Sequence, residues 1–143
     1  MYDWKSLFFG FLQKFDIKAI ITVRVNPCLL TKNEDFSNIK FLHIPINDGI
    51  DVHINEYFQD AVKFINEARD EKRSVLVHCH AGISRSATII LAYLMINEKL
   101  SLGKAFKYVQ SKRKIISPNL NFMGQLMILN RELGFTFNID EIM

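Results

Sequence analysis

The sequence predicts an α/β domain whose mostly parallel central sheet of four to five strands is flanked by helices. Short runs rich in β-branched residues alternate with longer segments that have helical spacing, which is the order of elements in α/β folds. Polar loops follow two of the predicted strands. Because parallel strands place their carboxyl ends at one edge of the sheet, we expect these loops to meet at that edge.

Three segments are predicted strands because they are rich in β-branched and other apolar residues. They span Ile17–Val23, residues 39–44 and residues 75–78. An earlier apolar run at residues 7–11 is too short for its periodicity to distinguish a first strand from the first turn of a short helix. Residues 29–38 are polar, and we expect a surface loop there.

Four predicted helices complete the order of elements, and the second of them is the central one. Apolar residues recur at intervals of three and four between residues 54 and 71, which is typical of an amphipathic helix. Residues 87–96 are almost uniformly apolar, so we expect that helix to be surrounded by protein. Ser101 is a suitable N-cap for a helix that ends near residue 111. Ser117, followed by a proline, is the predicted N-cap of a last helix that ends near Gly134.

Composition and charge limit the classes of protein to consider. The 143 residues fit one domain, residues 1–143, and a hydrophobic content of 49% indicates a folded core. The net charge of +3 is too small to indicate a nucleic-acid partner. No apolar run approaches the roughly 20 residues of a membrane-spanning helix. We expect a monomer in the cytoplasm, with the nucleus as a second location.

The segment between the predicted strand at 75–78 and the apolar helix carries the chemistry. The first amides of a helix lack intrahelical acceptors and lie at the positive end of its dipole, so they bind phosphate-sized anions. The same field favours the thiolate form of Cys79. Arg85 can direct its guanidinium at phosphate oxygens, and Gly82 permits a close approach of the backbone. The predicted phosphate-binding residues are His80, Ala81, Gly82, Ile83, Ser84 and Arg85.

A thiolate that attacks phosphorus also needs a proton donor for the departing oxygen. Asp48, in the loop after the strand at 39–44, is the predicted donor, and Asp51 is the alternative. One carboxyl group can serve first as acid and then as base to the attacking water. Ser86 can donate a hydrogen bond to the sulfur when the phosphocysteine breaks.

The pattern His78-Cys79-x-x-Gly82-x-x-Arg85-Ser86 resembles the signature of the cysteine-dependent protein tyrosine phosphatase superfamily. The run at 81–88 is similar to that of the dual-specificity phosphatases, especially the MAP-kinase phosphatase branch. Two further segments agree with the same family. They are the upstream Asp48 and the last predicted helix, which contains Ser117-Pro118-Asn119, Phe122 and Gln125-Leu126. The resemblance extends over residues 17–133.

The resemblance implies a protein tyrosine phosphatase-like fold and a signalling hydrolase that needs no metal and no cofactor. It implies that phosphotyrosine and phosphoserine or phosphothreonine are hydrolysed through a phosphocysteine intermediate. Cys79 would be the nucleophile, Arg85 the phosphate-binding residue, Asp48 the general acid and Ser86 an aid to turnover. His78 and Asn119 are expected to support the site. The implied partner is a phosphoprotein, with a MAP kinase as one candidate.

The chain also departs from the family pattern. Residues 7–10 resemble the family's first strand, but so few residues follow before Ile17 that the next helix is expected to be shortened or absent. We expect no rhodanese-like docking domain before the catalytic segment, so the sequence does not support a MAP-kinase substrate. Arg113-Lys114 stands where the family usually has Arg-Pro.

Alternative interpretations remain open for several residues. His78 and His80 alternate along the chain, but no second pair of ligands follows at zinc spacing, so a metal is not expected. Cys28 is either structural or forms a protective disulfide with Cys79. The basic residues near the last two helices form either a solvated face or a surface that attracts acidic phosphoproteins; they are Lys99, Lys104, Lys107, Lys112, Arg113 and Lys114.

Two other functions compete with protein dephosphorylation. A non-catalytic module that binds phosphorylated residues would need the loop but not the nucleophile. A phosphoinositide or RNA 5′-phosphatase would resemble relatives that carry basic residues inside the loop, whereas Ala81, Ile83 and Ser84 are uncharged. The loop composition therefore favours a protein substrate.

Overall fold

The central sheet has three parallel strands in the part of the chain that the structure describes. The structure is a computed structural model and describes residues 4–27, 36–136 and 138–142. The strands are β1 (Ile17–Val23), β2 (Lys40–Ile44) and β3 (Ser74–His78), and their order is β2-β1-β3. Both outer strands run parallel to β1, so all three carboxyl ends lie at one edge of the sheet.

Five α-helices accompany these strands within the described ranges. A short 3₁₀ turn, Ile54–Tyr57, leads into the second helix, and another, Ile139–Glu141, follows the fifth. None of the helices in the described residues is long and apolar enough to cross a membrane. The helices are α1 (Trp4–Lys14), α2 (Phe58–Asp70), α3 (Arg85–Asn97), α4 (Leu102–Lys112) and α5 (Leu120–Glu132).

Side chains that alternate along β1 divide the core between the two faces of the sheet. Ile20, paired with Phe41 and Leu76 in the neighbouring strands, faces a cluster that contains Leu12 of α1. Ile21 faces the larger cluster, which includes buried residues of α2 and α3. Both faces of this parallel sheet are therefore covered, as is usual for such sheets.

The α3 helix is the centre of the larger cluster. Ile89, Leu91 and Met95 are at most 1% exposed. The helix packs against β3 and against α2, α4 and α5. The prediction of a helix enclosed by protein is confirmed. Since α3 begins at Arg85, immediately after the cysteine-containing loop, its burial holds that loop against the end of the sheet.

The predicted α/β class and the parallel sheet are confirmed, the strand count is corrected, and the choice left open for the first element is decided. The described residues form three strands rather than four or five. Residues 7–11 lie inside α1 and not in a strand, and the helix expected to be shortened or absent is present. This run has no β-branched residue, and its helical form directs Phe8, Phe9 and Leu12 towards one cluster.

The start of the last helix also differs from the prediction. Asn119, and not Ser117, is the N-cap, because its side chain accepts a hydrogen bond from the Phe122 N–H. The Ser117 N–H is engaged elsewhere, with the carbonyl oxygen of Ile83 at 2.9 Å. The α5 helix therefore begins two residues later than predicted, and its cap faces the cysteine-containing loop.

Truncation of Phe122 is expected to destabilise the domain strongly. The side chain is 0% exposed, so Phe122→Ala should lower the free energy of unfolding by about 3–5 kcal/mol. Leu120, in the same helix, is 91% exposed, and Leu120→Ala should change it by no more than about 0.5 kcal/mol. Urea denaturation of both variants measures the difference. Equal losses would contradict the assigned packing of α5.

Candidate active site

The loop that joins β3 to α3, residues 79–84, surrounds the thiol of Cys79; we call it the cysteine loop. The Gly82 N–H donates to Cys79 Sγ at 3.2 Å, and a hydrogen bond of 3.2 Å joins this sulfur to Ser86 Oγ. Gly82 has a φ of 66°, which L-residues with a side chain rarely adopt. The loop therefore curls back on itself, and glycine at this position allows it to do so.

Opposing influences act on the Cys79 thiol. Burial acts to raise its pKa, because the thiolate loses hydration. Hydrogen bonds from the Ser86 hydroxyl and from the backbone amides of Ser86, Gly82 and Ile83 outweigh burial, and they hold the pKa below that of an ordinary thiol. Both Cys79 and Ser86 are buried. The site thus favours a thiolate that is screened from bulk water.

Arg85, the first residue of α3, directs its guanidinium across the same edge of the sheet. Its Nη1 donates to the carbonyl oxygen of Ile46 at 3.2 Å. Its Nε is buried and has no hydrogen-bond acceptor among the described residues. A buried charged donor without an acceptor is costly, and a phosphate oxygen bound at the cysteine loop would supply one.

Asp48 lies against the cysteine loop although it follows a different strand. Its Oδ1 accepts hydrogen bonds from Ser84 Oγ and from Asn119 Nδ2, both at 2.7 Å. The Ser84 hydroxyl also accepts the Asn119 backbone N–H at 2.9 Å. Asp51 makes no side-chain hydrogen bond to that loop in the described part of the chain. Between the two candidate donors, the geometry favours Asp48.

The Asp48 loop, residues 46–52, is held by one face of α5. Asn121 Nδ2 donates to the carbonyl oxygens of Gly49 and Val52, at 3.2 and 2.8 Å. Gln125 Nε2 donates to the Val52 carbonyl oxygen at 2.8 Å. Asn121 was not identified from the sequence, and Gln125 was named only as part of the family resemblance, without a role in the site. Their spacing, one helical turn apart on a largely apolar helix, is the signal that marks them as a polar pair.

His78 lies at the end of β3, where a hydrogen bond of 2.8 Å joins its Nε2 to Thr22 Oγ1 of β1. Burial lowers the pKa of His78, the nearby positive charge of Arg24 lowers it further, and a hydrogen bond with the Cys79 backbone partly opposes both. The ring is therefore neutral at pH 7. Thr22 was missed by sequence reasoning, and its signal is a hydroxyl within residues 19–23 of β1, which are buried and otherwise apolar.

Other predicted residues lie at or near the loop. His80 and Ala81 are exposed on its outer side, and Ile83 and Gly82 are half-buried. Within the ranges that the structure covers, no group of three or more His, Cys, Asp or Glu side chains lies close enough together to hold a metal ion. Cys28 lies outside the described residues, so its disulfide with Cys79 stays a prediction.

Arg113 is exposed, as both interpretations of the basic residues expect, but it also binds the backbone of the cysteine loop. Its Nε donates to the carbonyl oxygen of Gly82 at 2.8 Å, and its Nη2 donates to that of Ala81 at 3.2 Å. Lys112 lies over the ring of Tyr108, and Lys114 is exposed. Arg113 therefore belongs to the surroundings of the cysteine loop, which its place in a run of basic residues concealed.

Comparison with known proteins agrees with this geometry. A family model described as "Dual specificity phosphatase, catalytic domain" matches residues 1–132. Dual specificity protein phosphatase 7 of Homo sapiens is 44% identical over 129 residues, which cover 90% of this chain. The chain spans only 30% of the length of that relative.

Solved structures resemble most of this arrangement of strands and helices. The crystal structure of human DUSP28 matches with a TM-score of 0.79 at 26% identity, over 87% of this chain and 82% of that one. The human tyrosine phosphatase-like serine/threonine/tyrosine-interacting protein matches with a TM-score of 0.77 at 32% identity, over 86% and 82%. The chain belongs to the dual specificity phosphatase catalytic domain family.

Proposed function

We propose that the chain hydrolyses phosphotyrosine and phosphoserine or phosphothreonine in proteins through a phosphocysteine intermediate. One observation carries the proposal: Cys79 is a buried thiol with a lowered pKa, and the cysteine loop that surrounds it is hydrogen-bonded to Asp48 through Ser84. Membership of the dual specificity phosphatase family supports the same reaction. A binding site for phosphate alone would need neither the lowered thiol pKa nor a carboxylate hydrogen-bonded to the cysteine loop.

In the first step, the Cys79 thiolate attacks phosphorus in line with the departing oxygen. The amides of the cysteine loop and the Arg85 guanidinium stabilise the charge on the equatorial oxygens. An S–P bond forms, the P–O bond breaks, and Asp48 protonates the departing oxygen. Because both donors to Asp48 bind Oδ1, its Oδ2 is the oxygen that carries the transferred proton.

In the second step, water attacks the phosphocysteine. Asp48, now a carboxylate, accepts a proton from that water, and the S–P bond breaks to release phosphate. The departing sulfur again becomes a thiolate, and the Ser86 hydroxyl donates a hydrogen bond to it. Cys79 and Asp48 thus serve both halves of the reaction, and the enzyme returns to its starting protonation state.

The proposed substrate is a phosphoprotein. The side chains of Ala81, Ile83 and Ser84 are uncharged, so the cysteine loop offers no extra cation for a second phosphate of a phosphoinositide or a 5′-triphosphate. A MAP kinase is a candidate because the loop sequence resembles that of the MAP-kinase phosphatase branch. The loop composition therefore supports a phosphorylated side chain over a multiply phosphorylated small molecule.

A non-catalytic phosphoresidue-binding module is the second candidate function. The structural match to a protein named tyrosine phosphatase-like and serine/threonine/tyrosine-interacting supports it. The hydrogen bond between Cys79 and Ser86 counts against it, because binding needs no stabilised thiolate leaving group. Catalysis accounts for more of the site than binding does.

Replacement of the nucleophile separates these two functions. Cys79→Ser should abolish hydrolysis of an aryl phosphate, because serine at this position is not ionised at neutral pH. The variant should still bind a phosphotyrosine peptide, because the loop amides and Arg85 are unchanged. Phosphate release and isothermal titration measure the two properties. Hydrolysis by Cys79→Ser, or an inactive wild-type protein that binds the peptide, would contradict the proposal.

Replacement of the proton donor should depend on the leaving group. Asp48→Ala should slow hydrolysis of a phosphotyrosine peptide by about 10²- to 10⁴-fold and should slow that of 2,4-dinitrophenyl phosphate much less, since dinitrophenolate leaves without a proton. Asp51→Ala is the matched control and should resemble the wild type on both substrates. Steady-state kinetics with the two esters measures the contrast. A larger loss in Asp51→Ala would reassign the donor.

A panel of substrates tests the proposed substrate class. Phosphotyrosine and phosphothreonine peptides and a phosphorylated MAP kinase should be hydrolysed with kcat/KM values about 100-fold above those for a phosphoinositide and a triphosphorylated RNA. Phosphate release at equal substrate concentrations gives the comparison. A preference for the phosphoinositide or the RNA would exclude a protein substrate, and peptide hydrolysis confined to phosphotyrosine would exclude dual specificity.

A further inference from the structure

The connection between α4 and α5 binds three consecutive carbonyl groups of the cysteine loop. The Arg113 guanidinium donates to the carbonyl oxygens of Ala81 and Gly82, at 3.2 and 2.8 Å. The Ser117 N–H donates to the carbonyl oxygen of Ile83 at 2.9 Å. All three bonds come from residues 113–117, on the side of the loop that faces away from the sulfur.

These bonds determine where the amides of the loop point. In a planar trans peptide, the C=O and the N–H point in opposite directions. The carbonyl of Ala81 is directed at Arg113, and the N–H of the same peptide unit, on Gly82, donates to Cys79 Sγ. The next unit repeats the arrangement, with the Gly82 carbonyl on Arg113 and the Ile83 N–H directed at the sulfur.

We propose that Arg113 is a positioning residue, which binds the Ala81 and Gly82 carbonyl oxygens and thereby holds the Gly82 and Ile83 N–H groups towards Cys79 and the phosphate. The role of these amides in catalysis rests on the proposed function, whereas their orientation does not. Arg113 acts through the backbone of the loop, in contrast to Arg85, whose proposed role is to bind the phosphate directly.

The planar shape of the guanidinium makes arginine suited to this task. Two N–H groups in a fixed fork reach two successive carbonyl oxygens, which a single ammonium group does with less geometric definition. Gly82 matches this partner, because a Cβ at that position would lie 3.1 Å from Arg113 Nη2. A side chain at position 82 would therefore crowd the Arg113 guanidinium, in addition to disfavouring the left-handed backbone.

Arg113 can influence the site through its charge as well as through orientation, and two variants separate these effects. Lys114 is the neighbouring exposed cation, so Lys114→Met removes an equal charge and leaves both carbonyl bonds intact. Arg113→Lys keeps the charge and loses the fork. Arg113→Met removes both. Since Arg113 is exposed, thermal unfolding should show that all three variants fold.

The first measurement is the rate at which iodoacetamide alkylates Cys79, determined as a function of pH. Mass spectrometry of the Cys79 peptide monitors the reaction, so alkylation of Cys28 does not contribute. Misdirected amides stabilise the thiolate less, so its pKa rises and alkylation requires a higher pH. We expect the midpoint to move up by about one pH unit in Arg113→Met and by less in Arg113→Lys. Lys114→Met should match the wild type.

The second measurement is protection of Cys79 from alkylation by tungstate, an oxyanion that uses the same amides. Arg113→Met should weaken the protection about tenfold. A wild-type midpoint and wild-type protection in Arg113→Met would overturn the proposal. An equal effect of Lys114→Met would also overturn it, because charge alone would then account for the result.

Neither measurement requires turnover, so the proposed function can fail separately. If the wild type hydrolyses no phosphoester and Arg113→Met still shifts the midpoint, the positioning role stands and the phosphatase assignment fails. If the wild type is active and Arg113→Met loses activity towards an acidic phosphoprotein without a shift in the midpoint, the positioning role fails and the phosphatase assignment stands.

Discussion

The inward orientation of the cysteine-loop amides is the constraint on which the rest of the structure depends. Burial alone would raise the pKa of Cys79 and leave an inert thiol. A few backbone N–H groups and the Ser86 hydroxyl reverse that effect, and each acts only if it points at the sulfur. The backbone amides of an unsupported loop do not point at one atom by themselves. Contacts with the neighbouring strands, helices and connections must therefore orient them.

Three elements supply that orientation from different directions. The β3 strand ends at His78, whose hydrogen bond to Thr22 ties it to the neighbouring strand just before the loop begins. The α3 helix starts at Arg85 and is buried along most of its length, so the loop also has a fixed end. The connection between α4 and α5 binds the outward carbonyl groups. The loop is thus held at its start, at its end and along its back.

Much of this arrangement could be predicted from sequence, because it depends on local patterns. The β-branched run at Ile17–Val23 and the apolar run of α3 each contain enough residues to indicate their structure, and the spacing of Cys79 and Arg85 is itself the signature of the loop. Residues 7–11 were ambiguous because the run is short. Its helical form depends on packing against β1, which no local pattern records.

The residues that sequence reasoning missed or misjudged share a physical cause. Thr22, Asn121 and Arg113 act on atoms more than thirty positions away in the chain, and two of them bind backbone carbonyl oxygens. A backbone acceptor leaves no trace in the sequence of the segment that provides it. The type of the donor residue is then the only signal, and a surface arginine or asparagine has many commoner explanations.

The contacts of Ser84 show why the two halves of the site cannot be treated as separate. Ser84 is predicted to bind phosphate, and its hydroxyl in addition donates to Asp48 and accepts the Asn119 N–H. One side chain in the cysteine loop therefore sets the position of the carboxylate, and α5 holds both through Asn119. A displacement of the Asp48 loop must alter the hydrogen bonds of Ser84, which lies beside the amides that point at Cys79. The free-energy contributions of Asp48, Ser84 and Asn119 are consequently coupled. The effect of replacing one of these residues depends on the other two, and the effects of separate replacements are not additive.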